Sequence, residues 1–323
     1  MQNSGKGGGR SSSGKVVVVG SMSRDLVYRV PRRPGKGETL IAHDFQMYVG
    51  GKGNNQAMAA ARAGATVFMV GRIGQDANGD AVMTCLHRDK VDTTYLFRDA
   101  EAGTGIANIY VDDEGDNSIV IAAQANSKLS GSDVEAARDL IREADVMLLQ
   151  LEVPLATTAA AARLAKEEGV FVIVNPAPAP TDLAGFLELI KLADMLVPNQ
   201  SEAQLISGIE VSDKEGAARA ARHLQELGAG AVLITLAEQG AYYLSTSGHA
   251  TYVPAFKVNP VDTTAAGDAF CGALAAAISK GVALEDAMRF ACAAGALATT
   301  ICGAEPSLPT AKAIDGLTSV LQH

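Results

Sequence analysis

Short β-branched and aliphatic runs alternate with helix-period segments through most of this chain, and that alternation is the strongest constraint on its fold. Residues 16–19 are all valine and are stopped by Gly20. Residues 66–70, 146–151, 170–174, 195–197 and 231–236 are similar runs. Each is too short for a buried helix and apolar on both faces. Strands of that kind belong to a parallel sheet covered above and below by helices. The intervening segments supply those helices. Residues 54–63 are Ala-rich and end at Gly64, and 157–168 end at Gly169, a residue suited to a left-handed terminator. Ser132 with Glu135, and Ser212 with Glu215, have capping-box spacing and are expected to open two further helices. Residues 183–193, 267–280 and 284–301 complete the set, and an α/β architecture follows.

Two segments break the rhythm. Residues 24–48 and 103–124 carry alternating, half-exposed patterns such as Thr104, Ile106, Asn108 and Tyr110. Alternation predicts antiparallel strands with one wet face, so these insertions are expected to form a small sheet beside the core, placed as a lid. Residues 1–14 are rich in Gly and Ser and lack an apolar stretch; they read as a flexible tail rather than a secretory signal. The folded domain is then 15–323. No apolar stretch reaches the ~18 residues of a membrane span.

Composition narrows the function. Asp and Glu number 36 against 27 Lys and Arg, a net charge of −9. A nucleic-acid binder needs a basic face, so that class is disfavoured. The cluster Arg24, Arg29, Arg32, Arg33 and Lys36 reads as a solvated lid face. Cys85, Cys271, Cys292 and Cys302 have no metal-ligand spacing and read as thiols of a reducing, cytoplasmic compartment.

In open parallel sheets, ligands sit beyond the carboxyl ends of the strands. Gly20, Ser21 and Asp25, then Glu152, Asn175, Asn199, Glu202, Thr235 and Gly240 all follow strands. Residues 50–55, GGKGNN, precede a helix without the Walker A spacing. Their glycines are expected to let backbone N–H groups approach a ligand, although a plain glycine turn capped by Asn54 explains them equally well. Residues 262–268, DTTAAGD, are the strongest feature. Small residues there leave the N–H groups of 265–267 uncovered at a helix N-terminus, an anion hole favoured by the dipole. Asp268 beside it is poorly placed to bind phosphate but well placed to take a proton from an attacking hydroxyl. Helix capping by Asp262 or Asp268 is the plainer alternative.

Together, GGKGNN, the run Asn199-Gln200-Ser201-Glu202 and DTTAAGD resemble the ribokinase (PfkB-type) family of sugar kinases, from about Val16 to the C-terminus. The resemblance implies a ribokinase-like, Rossmann-type sheet and ATP-dependent phosphorylation of a sugar, D-ribose to D-ribose 5-phosphate. It implies that Ser23, Asp25, Gly51, Lys52, Gly53, Asn55 and Glu152 bind the sugar. Asp268 becomes the base, with Ala265, Ala266 and Gly267 holding the transferring phosphoryl. Thr235, Leu236, Ala237, Glu238, Gln239, Gly240, Gly267 and Cys292 border the nucleotide. Asn199 and Glu202 serve the triphosphate and Mg²⁺ through water. Asp262, Thr264, Ala298, Ile301, Gly303 and Ser307 match a potassium site. Ser23 and Cys292 depart from the family's usual Asn and His or Asn.

Several alternatives stand beside that reading. A kinase for another sugar or a nucleoside is the rival within the class, although Asp25, Asn55 and Glu152 favour a small polyol. A silent regulatory relative is opposed by the intact Asp268, and a dinucleotide oxidoreductase by the missing GxGxxG after the first strand. The lid sheet is expected to pair with a second subunit, covering an edge that would otherwise invite aggregation.

Overall fold

The computed structural model describes residues 13–320 of the chain. In chain order the strands are β1 (Lys15–Val19), β2 (Ser23–Arg29), β3 (Asp44–Gly50), β4 (Thr66–Gly74), β5 (Asp92–Asp99), β6 (Gly105–Val111), β7 (Asn117–Ala122), β8 (Val146–Leu149), β9 (Phe171–Val174), β10 (Met195–Leu196), β11 (Ala231–Thr235), β12 (Ala241–Leu244) and β13 (Ala250–Val253). The helices are α1 (Lys52–Arg62), α2 (Ala77–Arg88), α3 (Gly131–Ala136), α4 (Arg138–Glu143), α5 (Leu155–Glu167), α6 (Leu183–Ile190), α7 (Gln200–Ser207), α8 (Lys214–Glu226), α9 (Ala266–Ser279), α10 (Leu284–Ala298), α11 (Ala304–Ser307) and α12 (Ala311–Val320).

The main sheet has nine strands in the order β13-β12-β11-β10-β9-β8-β1-β4-β5. It is parallel from β11 through β5, and β12 and β13 add an antiparallel edge. Valines of β1 explain its central place. Val16 and Val18 enter the core on one face, with α1, α9 and α10, while Val17 and Val19 enter the core on the other, with α5 and α8. All four are fully buried, each worth about 1.5–3 kcal/mol in transfer from water. A second sheet, β3-β2-β6-β7, stands where the lid was expected, but only its outer pairs are antiparallel; β2 and β6, one from each insertion, pair in parallel because the chain returns through the main sheet between them. Its outer face carries a ladder of rings, with Tyr28 4.8 Å from Phe45 and 5.5 Å from Tyr110.

Local details differ from the sequence expectation. The cap of α3 is Ser130 with Asp133, not Ser132 with Glu135, and the expected helix breaks into α3 and α4 at Ala137. Two Ser-x-x-acid frames overlap there; Asp133 wins because Arg72 also binds its carboxylate at 2.8 Å. Asp213 rather than Ser212 caps α8, accepting from the Gly216 N–H at 2.7 Å. A capping box does occur at Asn199 with Glu202. Strand β5, helix α2 and the hairpin β12–β13 lay outside the expected set. Most of the expected tail falls outside the described residues, but Ser13 and Gly14 are anchored. The Ser13 N–H donates to Asp145 Oδ2 at 3.1 Å and that of Gly14 to the Ser279 carbonyl at 3.1 Å.

Candidate active site

Helices α1 and α9 meet at close range because Gly272 has no side chain. A Cβ on it would stand 2.5 Å from Ala59 Cβ and 2.6 Å from the Gln56 carbonyl oxygen, a separation no real contact tolerates. That approach brings the first turn of α9 beside the first turns of α1. Asp268 accepts hydrogen bonds from Asn55 Nδ2 at 3.0 Å and from Gln56 Nε2 at 2.9 Å. Gln56 also donates to Asn175 Oδ1 at 3.0 Å and accepts from Gln150 Nε2 at 2.7 Å. The result is a buried amide network fixing one carboxylate, with members from α1, the ends of β8 and β9, and α9. Burial pushes Asp268 above the usual carboxylate range, opposed by the Lys52 ammonium and the two amides.

Lys52 stands among carboxylates. Desolvation works against its charge, yet Asp268, Glu152 and Glu202 together hold it above its ordinary value. It shares with Asn175, Asn199, Glu202, Thr235, Ala265, Gly267 and Asp268 the lining of a cavity of about 200 Å³. Ala265, the N-cap of α9, has a left-handed backbone (φ 60°) that is strained for a residue with a Cβ. A Cβ on Gly267 would meet nothing within 4 Å, so the space beside this glycine is open. The Ala266 N–H is instead turned back to the Thr263 carbonyl at 3.2 Å.

The glycines at 51 and 53 also have a packing cause. A Cβ on Gly53 would lie 2.5 Å from the Ser21 nitrogen, and one on Gly51 would lie 2.7 Å from Met22 Cα. These residues let α1 pack against the turn after β1, which places the ligand-facing groups indirectly. Gly51, at φ 90°, is the N-cap, and Asn54 lies buried inside the helix. Glu152 caps α1 from across the sheet. Its Oε2 accepts the Lys52 N–H at 2.9 Å and the Ser21 hydroxyl at 2.5 Å.

Asp25 lies on the face of the lid that looks toward this site. Ser23 donates to its Oδ1 at 2.7 Å. Burial raises Asp25 to about 6, with Glu152 and Asp268 adding repulsion and Ser23 opposing. Asn55 Oδ1 is buried with no hydrogen-bond partner. An orphan acceptor beside Asp268 is the state expected of a group that meets a ligand hydroxyl.

The remaining expected residues fall into three places. Asn199 and Glu202 hold each other: the Glu202 N–H donates to Asn199 Oδ1 at 2.8 Å and the Asn199 N–H to Glu202 Oε2 at 2.9 Å. Burial pushes Glu202 upward. Leu236 is fully buried in the core, so only its backbone can border a ligand; residues 237–239 form one 3₁₀ turn, exposed at Ala237 and Glu238, before Gly240. Cys292 is buried within α10 rather than on the cavity, and burial pushes its thiol to about 12. The third place is the loop around Asp262. Asp262 Oδ1 accepts from the Thr264 N–H at 2.9 Å and hydroxyl at 2.6 Å, and Oδ2 from the Gly303 N–H at 2.8 Å. Burial works against its charge, but these donors, with a smaller contribution from Arg29, hold it below its ordinary value. The carbonyls of Ala298 and Ile301, at the end of α10, accept no hydrogen bond among the described residues. Ser307 is buried and donates to the Ala304 carbonyl at 2.7 Å. Gln56 is the group missed in the sequence; its place directly after Asn54-Asn55 was the available signal.

A family model described as pfkB family carbohydrate kinase matches residues 13–311. The chain belongs to the pfkB family of carbohydrate kinases. A ribokinase of Haemophilus influenzae is 40% identical over 91% of this chain and 95% of its own length. A deoxyribokinase of Salmonella typhi is 35% identical over 91% and 95% respectively. The structure of Arabidopsis thaliana ribokinase complexed with ribose and ATP aligns with a TM-score of 0.85 and 32% identity, covering 94% of this chain and 98% of that one. The family's fold therefore accounts for both the mostly parallel sheet and the separate small sheet.

Proposed function

We propose that this kinase transfers the γ-phosphoryl group of ATP to the primary hydroxyl of D-ribose, giving D-ribose 5-phosphate. The observation that carries the reading is Asp268 held by Asn55 and Gln56 at the first turn of α9, beside an open glycine and a small polar cavity. Full-length similarity to ribokinases supports the choice of sugar.

Each residue's role follows from its surroundings. Asp25, with Asn55 Oδ1 and Glu152, binds sugar hydroxyls. Asp268 accepts the proton of the attacking hydroxyl, and its raised affinity for protons suits a base working near neutral pH. The N–H groups of Ala265 and Gly267 stabilise negative charge on the moving phosphoryl, aided by the helix dipole. Lys52 neutralises part of that charge and limits repulsion among Asp268, Glu152 and Glu202. The loop from Thr235 to Gly240 borders the nucleotide through its backbone. Asn199 and Glu202 would hold Mg²⁺ through water, and the metal would neutralise phosphate charge. The Asp262 loop fits a monovalent cation such as potassium. It offers one carboxylate, a hydroxyl and unengaged carbonyls at a helix C-terminus, where the dipole favours positive charge. The free thiols of Cys85, Cys271, Cys292 and Cys302 accord with a cytoplasmic enzyme.

The lid also supports a homodimer. Phe45, Met47 and Val120 are 44%, 51% and 62% exposed, and by register they share the lid face opposite Asp25. A second lid covering them removes apolar surface from water and protects the strand edges.

The test is an ATP-dependent screen across ribose, 2-deoxyribose, other pentoses, fructose and nucleosides. Ribose is expected to give the highest kcat/KM. A preference for 2-deoxyribose or a nucleoside overturns the sugar assignment, and no turnover with any acceptor overturns the enzymatic one.

A further inference from the structure

Tyr48 stands directly opposite Asp25 in the β2–β3 register, so the two side chains share one face of the lid. The Tyr48 ring reaches the Asp262 loop. A Cβ on Gly303 would lie 3.3 Å from its Cε1 and 3.6 Å from its Cδ1. Gly303, at φ 89°, presents bare backbone to that ring and donates its N–H to Asp262 Oδ2. Asp25, Tyr48, Gly303 and Asp262 are thus neighbours in turn, the first pair by strand register, the second by the closeness of the ring to the Gly303 backbone and the third by a hydrogen bond.

The other side of the loop is fixed to the core. Arg62, at the end of α1, donates from Nη1 to the carbonyls of Glu305 at 2.8 Å and Leu308 at 3.0 Å, and its Nε binds Asp89 at 3.0 Å. One flank of the segment is therefore tied to α1, while Gly303 leans on a ring carried by the lid. Any displacement of β3 changes the support under Gly303 and hence the geometry of the Asp262 carboxylate. Arg29 adds a charge on the same face. It shares the lid face of Asp25 and Tyr48 by alternation along β2, and its charge is felt at Asp262.

We propose that Tyr48 is a positioning residue that couples sugar binding at Asp25 to monovalent-cation binding at the Asp262 loop, through contact of its ring with Gly303. The proposal rests on the functional reading given above for those two sites. Coupling of this kind is reciprocal: potassium tightens sugar binding by the same factor by which sugar tightens potassium binding.

The experiment is calorimetric titration of ribose into the ADP-bound protein, in potassium chloride and in tetramethylammonium chloride at equal ionic strength. For the unmodified protein, ribose is expected to bind at least about fivefold tighter in potassium, the lower end of ordinary coupling. Tyr48→Phe keeps that ratio, because the ring is what faces Gly303, while the hydroxyl donates to Gln46 Oε1 on the same strand. Tyr48→Ala brings the ratio to within about twofold of one, with a cooperative melting transition showing that the variant is folded. Tyr48→Leu, which keeps an apolar side chain on β3, replaces it if the alanine variant fails to fold, with the same expected loss. Retention of the fivefold ratio by Tyr48→Ala or Tyr48→Leu overturns the proposal. Equal ribose affinity of the unmodified protein in the two salts also overturns it, while leaving ribose binding intact. Absence of ribose binding in either salt overturns the functional reading and the coupling with it.

Discussion

Gln56 Nε2 donates to Asp268 Oδ1 at 2.9 Å, although the two residues are 212 positions apart in the chain. The contact joins the first turns of α1 and α9 and orients the carboxylate assigned as base. Gln56→Leu removes it and leaves the amides of Gln150 and Asn175 without their partner. Each such buried group costs about 1–3 kcal/mol. The expected outcome is a lower denaturation midpoint and a kcat reduced by at least about tenfold, with the KM for ATP nearly unchanged. Denaturant titration and steady-state kinetics check both.

Two glycines separate packing from phosphate access. Gly53→Ala forces a Cβ to 2.5 Å from the Ser21 nitrogen and is expected to destabilise the fold by several kcal/mol, about the upper range for single substitutions. Gly267→Ala meets no neighbour within 4 Å and improves helix propensity by up to about 1 kcal/mol. Its methyl projects into the space expected for phosphate, so turnover falls while the melting temperature holds. Equal melting temperatures for the two variants would contradict this division.

The carboxyl of Asp25, raised to about 6, makes a pH prediction. Between its unfolded value near 4 and about 6, the folded chain holds a proton that the unfolded chain does not. Stability from this group is therefore gained as pH falls through 6 and lost as pH rises. Sugar binding runs the opposite way, since hydroxyls donate to the ionised form. The KM for ribose is expected to rise below pH 6 in steady-state assays. In Asp25→Asn, that contribution to stability between pH 4 and 6 disappears from denaturation curves.

Lid pairing is tested at Met47. Met47→Glu places a charge on the exposed lid face and is expected to convert a dimer to a monomer in sedimentation velocity, with the thermal transition retained. A monomeric unmodified protein would remove the dimer from the account.

What the sequence revealed depended on how many constraints each residue satisfies. Strands β1, β8, β9 and β11 were legible because both faces are buried, leaving no choice but continuous apolar runs. Strand β5 was not, since its polar ends, Asp92 to Thr94 and Arg98 to Asp99, leave only Tyr95, Leu96 and Phe97 as an apolar run at a sheet edge with one covered face. The caps of α3 and α8 were misplaced by one or two residues because adjacent frames offered equivalent caps, and only the Arg72–Asp133 pairing separated the first two. At the site, Asp268 was legible from its motif. Gln56 was not, because its meaning depends on Gly272 drawing two distant helices together. The glycines at 51 and 53 also have a packing cause that the sequence does not show: they admit the protein's own backbone at Ser21 and Met22.

The central claim is that Asp268 takes the proton from the attacking sugar hydroxyl. Asp268→Asn keeps the side chain's shape and removes its basicity. The kcat for ribose phosphorylation and the dissociation constant for ribose, measured on the same preparation, decide the matter. The account predicts a kcat reduced by about 10²–10⁴-fold with ribose affinity changed by no more than about tenfold, the worth of one net hydrogen bond. Turnover within about tenfold of the unmodified enzyme would contradict it.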